Sequence, residues 1–233
     1  LSLGESRMIN ALLKEGPSLS TKMSIDKIPK GQDEVIGKAM NNPVTIVWGP
    51  PGTGKTHTMS EMAIRFIDKG YHVLIVSHSN VSVDGVAKKM DELLRQQWKH
   101  SLLKAGSVLR YGYIRDEILN RNQYVSSFYY AVTKNPALHK KLDSLQNEYD
   151  QVKRLKGLNN PKIISLNKEI RTIRTEIREQ ERYCVSQAKV VATTISKVIV
   201  DKLFEDRKFD VVMFDEVSMA YVLQVVAAAT FAK

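Results

Sequence analysis

The sequence has few of the features that mark secreted and membrane proteins. It contains one cysteine, Cys184, which excludes an internal disulfide framework and favours a reducing compartment. No run of about 18 apolar residues occurs, so a transmembrane helix is excluded. Residues 1–5 lack a basic region followed by a long apolar core and are not a signal peptide. We therefore expect an intracellular protein, in the cytoplasm, nucleus or nucleoid. The absence of an initiator methionine suggests a trimmed or excised chain.

Size and charge limit the architecture and indicate a class of partner. With 233 residues, of which 43% are apolar, the chain can form one large domain or one domain with an insertion. The net charge is +10, and residues 86–182 alone carry +9 of it. Such a basic region can attract a phosphate backbone. A solvated helical face explains the same charge equally well.

Short apolar runs alternate with helical patterns along most of the chain. A helix is predicted at residues 5–15, a second at 55–68 and a third at 83–94. The runs that predict buried strands are Val44–Trp48, Val73–Val76, Val108–Tyr111, Val190–Thr194 and Val211–Phe214. Alternating strands and helices predict an α/β fold, in which helices cover both faces of a parallel sheet.

The spacing of apolar residues differs between residues 137 and 184. Two groups recur at steps of three and four residues: Leu138, Leu142, Leu145, Tyr149 and Val152, then Ile163, Leu166, Ile170, Ile173 and Ile177. Residues 157–161 between them form a helix-stop and turn cluster. This pattern predicts an antiparallel helical hairpin. Burial of the seam between the two helices must stabilise it, because neither arm is stable alone.

The most specific motif is a phosphate-binding loop. It consists of Gly49, Pro50, Pro51, Gly52, Thr53, Gly54, Lys55 and Thr56, which match the pattern GxxxxGK[ST] between a predicted strand and a predicted helix. Its glycines let backbone N–H groups turn toward phosphate oxygens, and the following helix presents its positive end. Lys55 would supply a cation for the β- and γ-phosphates, and the Thr56 hydroxyl a ligand for Mg²⁺. We expect all eight residues to contact ATP.

A second motif supplies carboxylates. The strand predicted at Val211–Phe214 ends in Asp215 and Glu216, at the sheet edge where parallel α/β folds bind ligands. Asp215 can hold Mg²⁺ directly or through water, whereas Glu216 can polarise the attacking water. Together with Lys55, these residues are the predicted catalytic groups of an NTPase.

The segment Ser77-His78-Ser79-Asn80-Val81-Ser82-Val83-Asp84 distinguishes among NTPases. With it, the sequence resembles superfamily 1 helicases, most closely the 5′-to-3′ branch of the nonsense-mediated-decay RNA helicase and senataxin. There the segment reads close to APSNxAVD. The resemblance implies a RecA-like motor domain that couples ATP hydrolysis to translocation on single-stranded DNA or RNA. It also places Ser79 and Asn80 on the nucleic-acid path, where small polar side chains suit phosphate contacts.

The resemblance covers roughly residues 28–233 and assigns further roles. Gln32, in Ile28–Gln32, would read the adenine of ATP, because its amide offers both a donor and an acceptor. Thr193 and Thr194 fall in the family's third nucleic-acid-contacting segment, although each could simply end a strand. His78 stands where the family usually has Pro, and Gly85 where Gln is common. Residues 110–136 are too few for the small β-barrel that some members carry.

The resemblance also implies the domain organisation. We expect an N-terminal helix and connector (1–27), a RecA-like part (28–136), a stalk-like hairpin (137–184) and a second RecA-like part (185–233). In the family, a "GDxxQL" segment and a second RecA-like domain with ATP-contacting arginines follow. The fragment alone is therefore expected to be inactive. Two alternatives are an oligomeric remodelling or loader ATPase, and an interaction module that binds a protein partner through the hairpin.

Overall fold

The computed structural model of the protein describes residues 32–157 and 160–233. The predicted helix at 5–15 and residues 28–31 of the predicted adenine segment lie outside these ranges. The helices are α1 (Gln32–Asn41), α2 (Lys55–Asp68), α3 (Asn80–Gln96), α4 (His100–Lys104), α5 (Glu117–Asn120), α6 (Ser127–Lys134), α7 (Pro136–Lys156), α8 (Pro161–Gln187), α9 (Ile195–Val200) and α10 (Val222–Ala229). The strands are β1 (Val73–Ser77), β2 (Val108–Arg110), β3 (Val190–Thr194) and β4 (Val211–Asp215). Short 3₁₀ turns occupy Lys202–Phe204 and Val217–Met219.

The four strands form one parallel sheet in the order β2-β3-β1-β4. Its register places Ser77, the last residue of β1, beside Thr194 of β3 on one side and Asp215 of β4 on the other. Residues from two predicted motifs therefore meet at the carboxyl edge of the sheet. Parallel neighbours need crossover connections, which the helices supply. The expected α/β fold class is confirmed.

The sheet separates two apolar layers. Val73 and Ile75 pack with residues of α1, α2 and α3, whereas Leu74 and Val76 pack on the opposite face with Phe204 and the end of α8. The side chains of these four apolar residues of β1 are fully buried. Burying a side chain of this kind contributes about 1.5–3 kcal/mol. Helices therefore cover both faces of the sheet, as the continuous apolar runs predicted.

The two longest helices, α7 and α8, pack against each other. Leu142 and Leu145 of α7 are half-buried beside Ile173 of α8, which is itself buried. Each helix begins with proline, and each is capped by the asparagine before it: the Asn135 side chain accepts from Leu138 N, and that of Asn160 from Lys162 N. Both carry many charged residues, and no helix among the described residues is long and apolar enough to cross a membrane. That α7 and α8 form a separate inserted unit remains a proposal.

The strand predicted at Val44–Trp48 is wrong. Residues 44–48 are irregular, and the side chains of Ile46 and Trp48 are 80% and 83% exposed. An apolar run becomes a strand only where an edge of the sheet pairs with it, and such pairing is not encoded in the run itself. Within the described part of the chain, β4 pairs only with β1, so its outer edge forms no ladder.

Candidate nucleotide site

Three glycines shape the phosphate-binding loop. Gly52 and Gly54 both have φ of 81°, in the left-handed region that favours glycine, and α2 begins directly after Gly54. The Thr53 hydroxyl donates to the Pro50 carbonyl at 2.8 Å and closes the turn. A Cβ on Gly49 would lie 2.8 Å from the Thr53 Oγ1, so the close approach there requires glycine. The loop thus leads its backbone into the N-terminus of a 14-residue helix.

The Lys55 side chain folds back over this loop. Its ammonium donates to the carbonyl oxygens of Gly49 at 2.7 Å and Pro50 at 2.9 Å. Lys55, Thr56 and Pro51 are all exposed, so the loop opens to solvent. A cation held over the loop by two carbonyl oxygens is suited to receive a polyphosphate, whose charged oxygens are stronger acceptors.

The two carboxylates at the end of β4 differ in environment. Burial raises the pKa of Asp215, and the adjacent Glu216 carboxylate raises it further. The Glu216 backbone N–H, which donates to Asp215 Oδ1 at 3.0 Å, partly offsets both effects, and the Lys55 ammonium does so to a smaller extent. Glu216 is exposed and has φ of 54°, a left-handed conformation uncommon outside glycine. The backbone therefore leaves the strand direction at Glu216, and the two adjacent carboxylates differ in burial, with Asp215 half-buried.

Glu216 contacts the segment that sequence analysis assigned to nucleic acid. Its Oε2 accepts a hydrogen bond from the Ser82 hydroxyl at 2.5 Å. The Ser82 hydroxyl also lies 2.8 Å from the Ser79 hydroxyl, and Ser79 Oγ accepts from Ser82 N at 3.1 Å as the N-cap of α3. The local sequence around Ser82 does not indicate this contact, because its partner lies 134 residues away in the chain.

The side chain of Asn80, the first residue of α3, is fixed by a hydrogen bond from the buried Arg110. Arg110 is fully buried, and its Nη2 donates to Asn80 Oδ1 at 2.9 Å. Its Nε donates to Asp84 Oδ1 at 2.7 Å, forming a buried ion pair. Because a guanidinium has no acceptor, the Asn80 amide oxygen must face Arg110, which leaves the two N–H donors of Asn80 for a ligand. An arginine inside the apolar run Val108–Tyr111 is the signal that could have revealed this network, since buried arginines require partners.

The two threonines of β3 differ in accessibility. Thr193 is fully buried, and its Oγ1 has no hydrogen-bond partner among the described residues. Thr194 is half-buried, and its Oγ1 accepts from Lys197 N at 3.4 Å at the start of α9. Adjacent strand residues point to opposite faces, so both threonines cannot face the same ligand. Both assignments remain predictions, and the greater accessibility of Thr194 favours it over Thr193.

Gln32 begins α1, but its side chain is not among the described ones. Its assignment to the adenine of ATP thus stays a prediction. The α1 helix itself packs on α2 through the buried Ile36, and Arg65 of α2 bonds Asp33 at 2.5 Å. These contacts place the start of α1 near the helix that the phosphate-binding loop precedes.

The loop, the acidic strand end and the parallel sheet define a P-loop nucleotide-binding domain with a RecA-like architecture. The AAA domain family AAA_11 matches residues 27–233, and the chain belongs to this family.

Several helicases are similar to this chain. DNA polymerase alpha-associated DNA helicase A of Saccharomyces cerevisiae is 27% identical over 237 residues, which cover 93% of this chain and 33% of that protein. DNA-binding protein SMUBP-2 of Rattus norvegicus is 28% identical over 199 residues, covering 81% and 19%. ATP-dependent helicase upf1 of Schizosaccharomyces pombe is 33% identical over 84 residues, covering 32% and 9%. The chain thus spans a third or less of these relatives, and its resemblance to superfamily 1 helicases is confirmed.

Proposed function

We propose that this chain is the ATP-binding motor domain of a superfamily 1 helicase, which couples ATP hydrolysis to movement along single-stranded nucleic acid. One observation carries the proposal: Glu216, at the nucleotide site, is hydrogen-bonded to Ser82 of the nucleic-acid segment. The register supports it, because Thr194, Ser77 and Asp215 lie side by side at one edge of the sheet. A motor needs its two ligands close enough for each to influence the other.

The residues of the loop fit ATP and Mg²⁺. Backbone N–H groups of residues 49–56 and the Lys55 ammonium would bind the phosphates, and Gln32 would read the adenine. Thr56 and Asp215 offer the hard oxygen ligands that Mg²⁺ prefers. When bound, Mg²⁺ would neutralise charge on the transferred phosphoryl group. Glu216 would orient the attacking water toward the transferred phosphoryl group and accept a proton from it.

The nucleic-acid path would cross the N-terminus of α3 and the end of β3. Ser79, Asn80 and Thr194 would contact backbone phosphates there, and the basic charge of residues 86–182 would assist. Contacts to the backbone carry little base information, so DNA and RNA are both candidate strands. A motor of this kind, with Cys184 buried and unpaired, suits a reducing intracellular compartment.

The helicase relatives favour this function over an oligomeric remodelling ATPase. By the same resemblance, a second RecA-like domain would close over the nucleotide and supply arginines to it. Turnover is therefore measured in the intact protein, whereas ligand binding can be measured on the 233-residue chain. The hairpin α7–α8 remains a proposed surface for a protein partner.

The proposed function predicts ATP turnover that single strands stimulate. We expect oligo-dT or oligo-U to raise kcat of the intact protein, because backbone contacts at Ser79 and Asn80 reach the nucleotide site through Ser82. The measurement is multiple-turnover phosphate release with and without each strand, with Lys55→Ala as the control for contaminating ATPases. Lys55-dependent turnover that neither strand changes would contradict a nucleic-acid motor and favour the oligomeric ATPase.

A double variant tests the nucleic-acid path. Asn80→Ala with Thr194→Ala should weaken single-strand binding by about 30-fold, since two phosphate contacts of roughly 1 kcal/mol each are lost. Nucleotide binding should stay near that of the parent. The measurement is fluorescence anisotropy of a labelled strand titrated at several salt concentrations. Asn167→Ala with Thr175→Ala, on α8, is the matched control. If the two double variants bind the strand with equal affinity across the salt series, the proposed nucleic-acid path over Asn80 and Thr194 is refuted.

A further inference from the structure

The Ser82 hydroxyl joins two sites that are distant in sequence. It lies between the Ser79 hydroxyl, at 2.8 Å, and the Glu216 carboxylate, at 2.5 Å. Ser82 lies in the first turn of α3, and Ser79 is the N-cap residue that precedes this helix. The three side chains form a continuous hydrogen-bonded chain from the proposed strand-binding surface to the proposed catalytic carboxylate.

The direction of this chain follows from donor counting. An ionised carboxylate only accepts hydrogen bonds, so Ser82 must use its single hydroxyl proton for Glu216. The contact between the two hydroxyls then requires Ser79 to be the donor and Ser82 the acceptor. The order is therefore Ser79 to Ser82 to Glu216, and each donation polarises the next.

This chain is a feature of the particular sequence rather than of the family pattern. In the pattern APSNxAVD, the position of Ser82 is an alanine, which has no hydroxyl to donate. An alanine there would leave Ser79 as the cap of α3, because that cap uses only the backbone N–H of residue 82. The helix start can thus be kept while the bond to Glu216 is removed.

We propose that Ser82 is a positioning residue that restrains Glu216 until a strand engages Ser79. The inference rests on the proposed function. With Ser82 donating, one carboxylate oxygen of Glu216 is occupied and the side chain is held toward α3. A strand phosphate is a strong acceptor, so the Ser79 hydroxyl donates its hydrogen bond to the phosphate instead of to Ser82. Without the hydrogen bond from Ser79, the Ser82 hydroxyl is less polarised and its hydrogen bond to Glu216 is weaker. The Glu216 carboxylate is then free to turn to the attacking water.

The test compares turnover of Ser82 variants with and without a strand. In the intact protein, Ser82→Ala should raise kcat without nucleic acid by about 3- to 10-fold, because a charge-assisted hydrogen bond that restrains Glu216 is lost. The kcat at saturating oligo-dT or oligo-U should change by less than about twofold, and the KM for ATP should not change. The stimulation ratio therefore falls. Ser82→Thr keeps the hydroxyl and should restore the ratio of the parent.

The controls separate this inference from a general loss of structure. Ser101→Ala, an exposed serine in α4, should leave both rates unchanged. A destabilised protein loses rate in both conditions, whereas release of Glu216 raises only the rate without strand. If single strands stimulate the parent but Ser82→Ala has the same ratio or a lower basal rate, the role of Ser82 is overturned and the motor function stands. If the parent shows no stimulation, the proposed function falls, and this inference with it.

Discussion

Glu216→Gln is expected to lower the turnover of the intact protein by roughly 10²-fold or more while ATP stays bound. The amide removes the base that would polarise the attacking water. It keeps the size of the side chain and an oxygen that can accept from Ser82, so the site should stay folded. Lys55→Ala should behave differently, with weakened ATP binding and turnover at background, because the ammonium beside Gly49 and Pro50 is removed.

Two measurements distinguish these variants. Equilibrium binding of a fluorescent ATP analogue reports affinity, and phosphate release reports turnover. Glu205→Gln and Lys69→Ala make the same chemical changes at exposed positions outside the site and should resemble the parent in both assays. A Glu216→Gln variant that turns over at the parental rate would refute the role of Glu216.

Arg110→Ala is expected to give the largest loss of stability of any ion-pair change in the described fold. Burial lowers the pKa of Arg110, and the hydrogen bond that Arg110 donates to Asp84 offsets part of this effect. Removing the guanidinium leaves the Asp84 carboxylate, which is 3% exposed, without its ion-pair partner. Breaking one side of a buried pair costs about 3–5 kcal/mol. The free energy of unfolding of the 233-residue chain, from urea titration followed by circular dichroism, measures this loss.

A surface arginine provides the matched control. Arg95 bonds Asp91 at 3.0 Å within α3, but its side chain is 43% exposed. Exposed pairs contribute about 0–1 kcal/mol. Arg95 also lies 5.5 Å from the centre of the Tyr124 ring, and such a cation–π contact contributes about 0.5–1 kcal/mol. Arg95→Ala should therefore lower the free energy of unfolding by at most about 2 kcal/mol, less than Arg110→Ala. Similar losses for the two variants would show that Arg110 is not a buried structural charge. Because Arg110 also bonds Asn80, single-strand binding should weaken in Arg110→Ala even under conditions where the chain stays folded.

Local sequence was sufficient for most of the fold. The apolar runs predicted β1 to β4, and the helix predicted at 55–68 has the bounds of α2. These elements follow from periodicity and glycine turns, which are properties of neighbouring residues. The run at 44–48 has the same composition, yet it lacks the edge pairing that would make it a strand. A pattern within one segment does not contain the position of another segment.

The sequence likewise predicted the contiguous motifs of the candidate site but not the contacts between its distant segments. The loop, Asp215 and Glu216 are contiguous motifs whose chemistry is visible in the sequence. The contacts that connect them to other segments are not: Arg110 lies 26 residues from Asp84, and Ser82 lies 134 residues from Glu216. The sequence also could not predict which of Thr193 and Thr194 is buried, because adjacent strand residues differ only in which face they occupy.

The hairpin has a mechanical consequence. Helix α8 has 27 residues and is roughly 40 Å long at about 1.5 Å per residue. Its last turn packs into the core through Cys184 and Val185, and its middle packs on α6, where Ile173 and Ile177 cluster with Val132. Only about the first 12 residues of α8, roughly 18 Å at about 1.5 Å per residue, therefore project beyond α6 together with α7. If this arm tilts by about 5°, its far end moves by roughly 1.5 Å. We expect a load on that end to reach α6 first, and only then the strand that leads to Thr194.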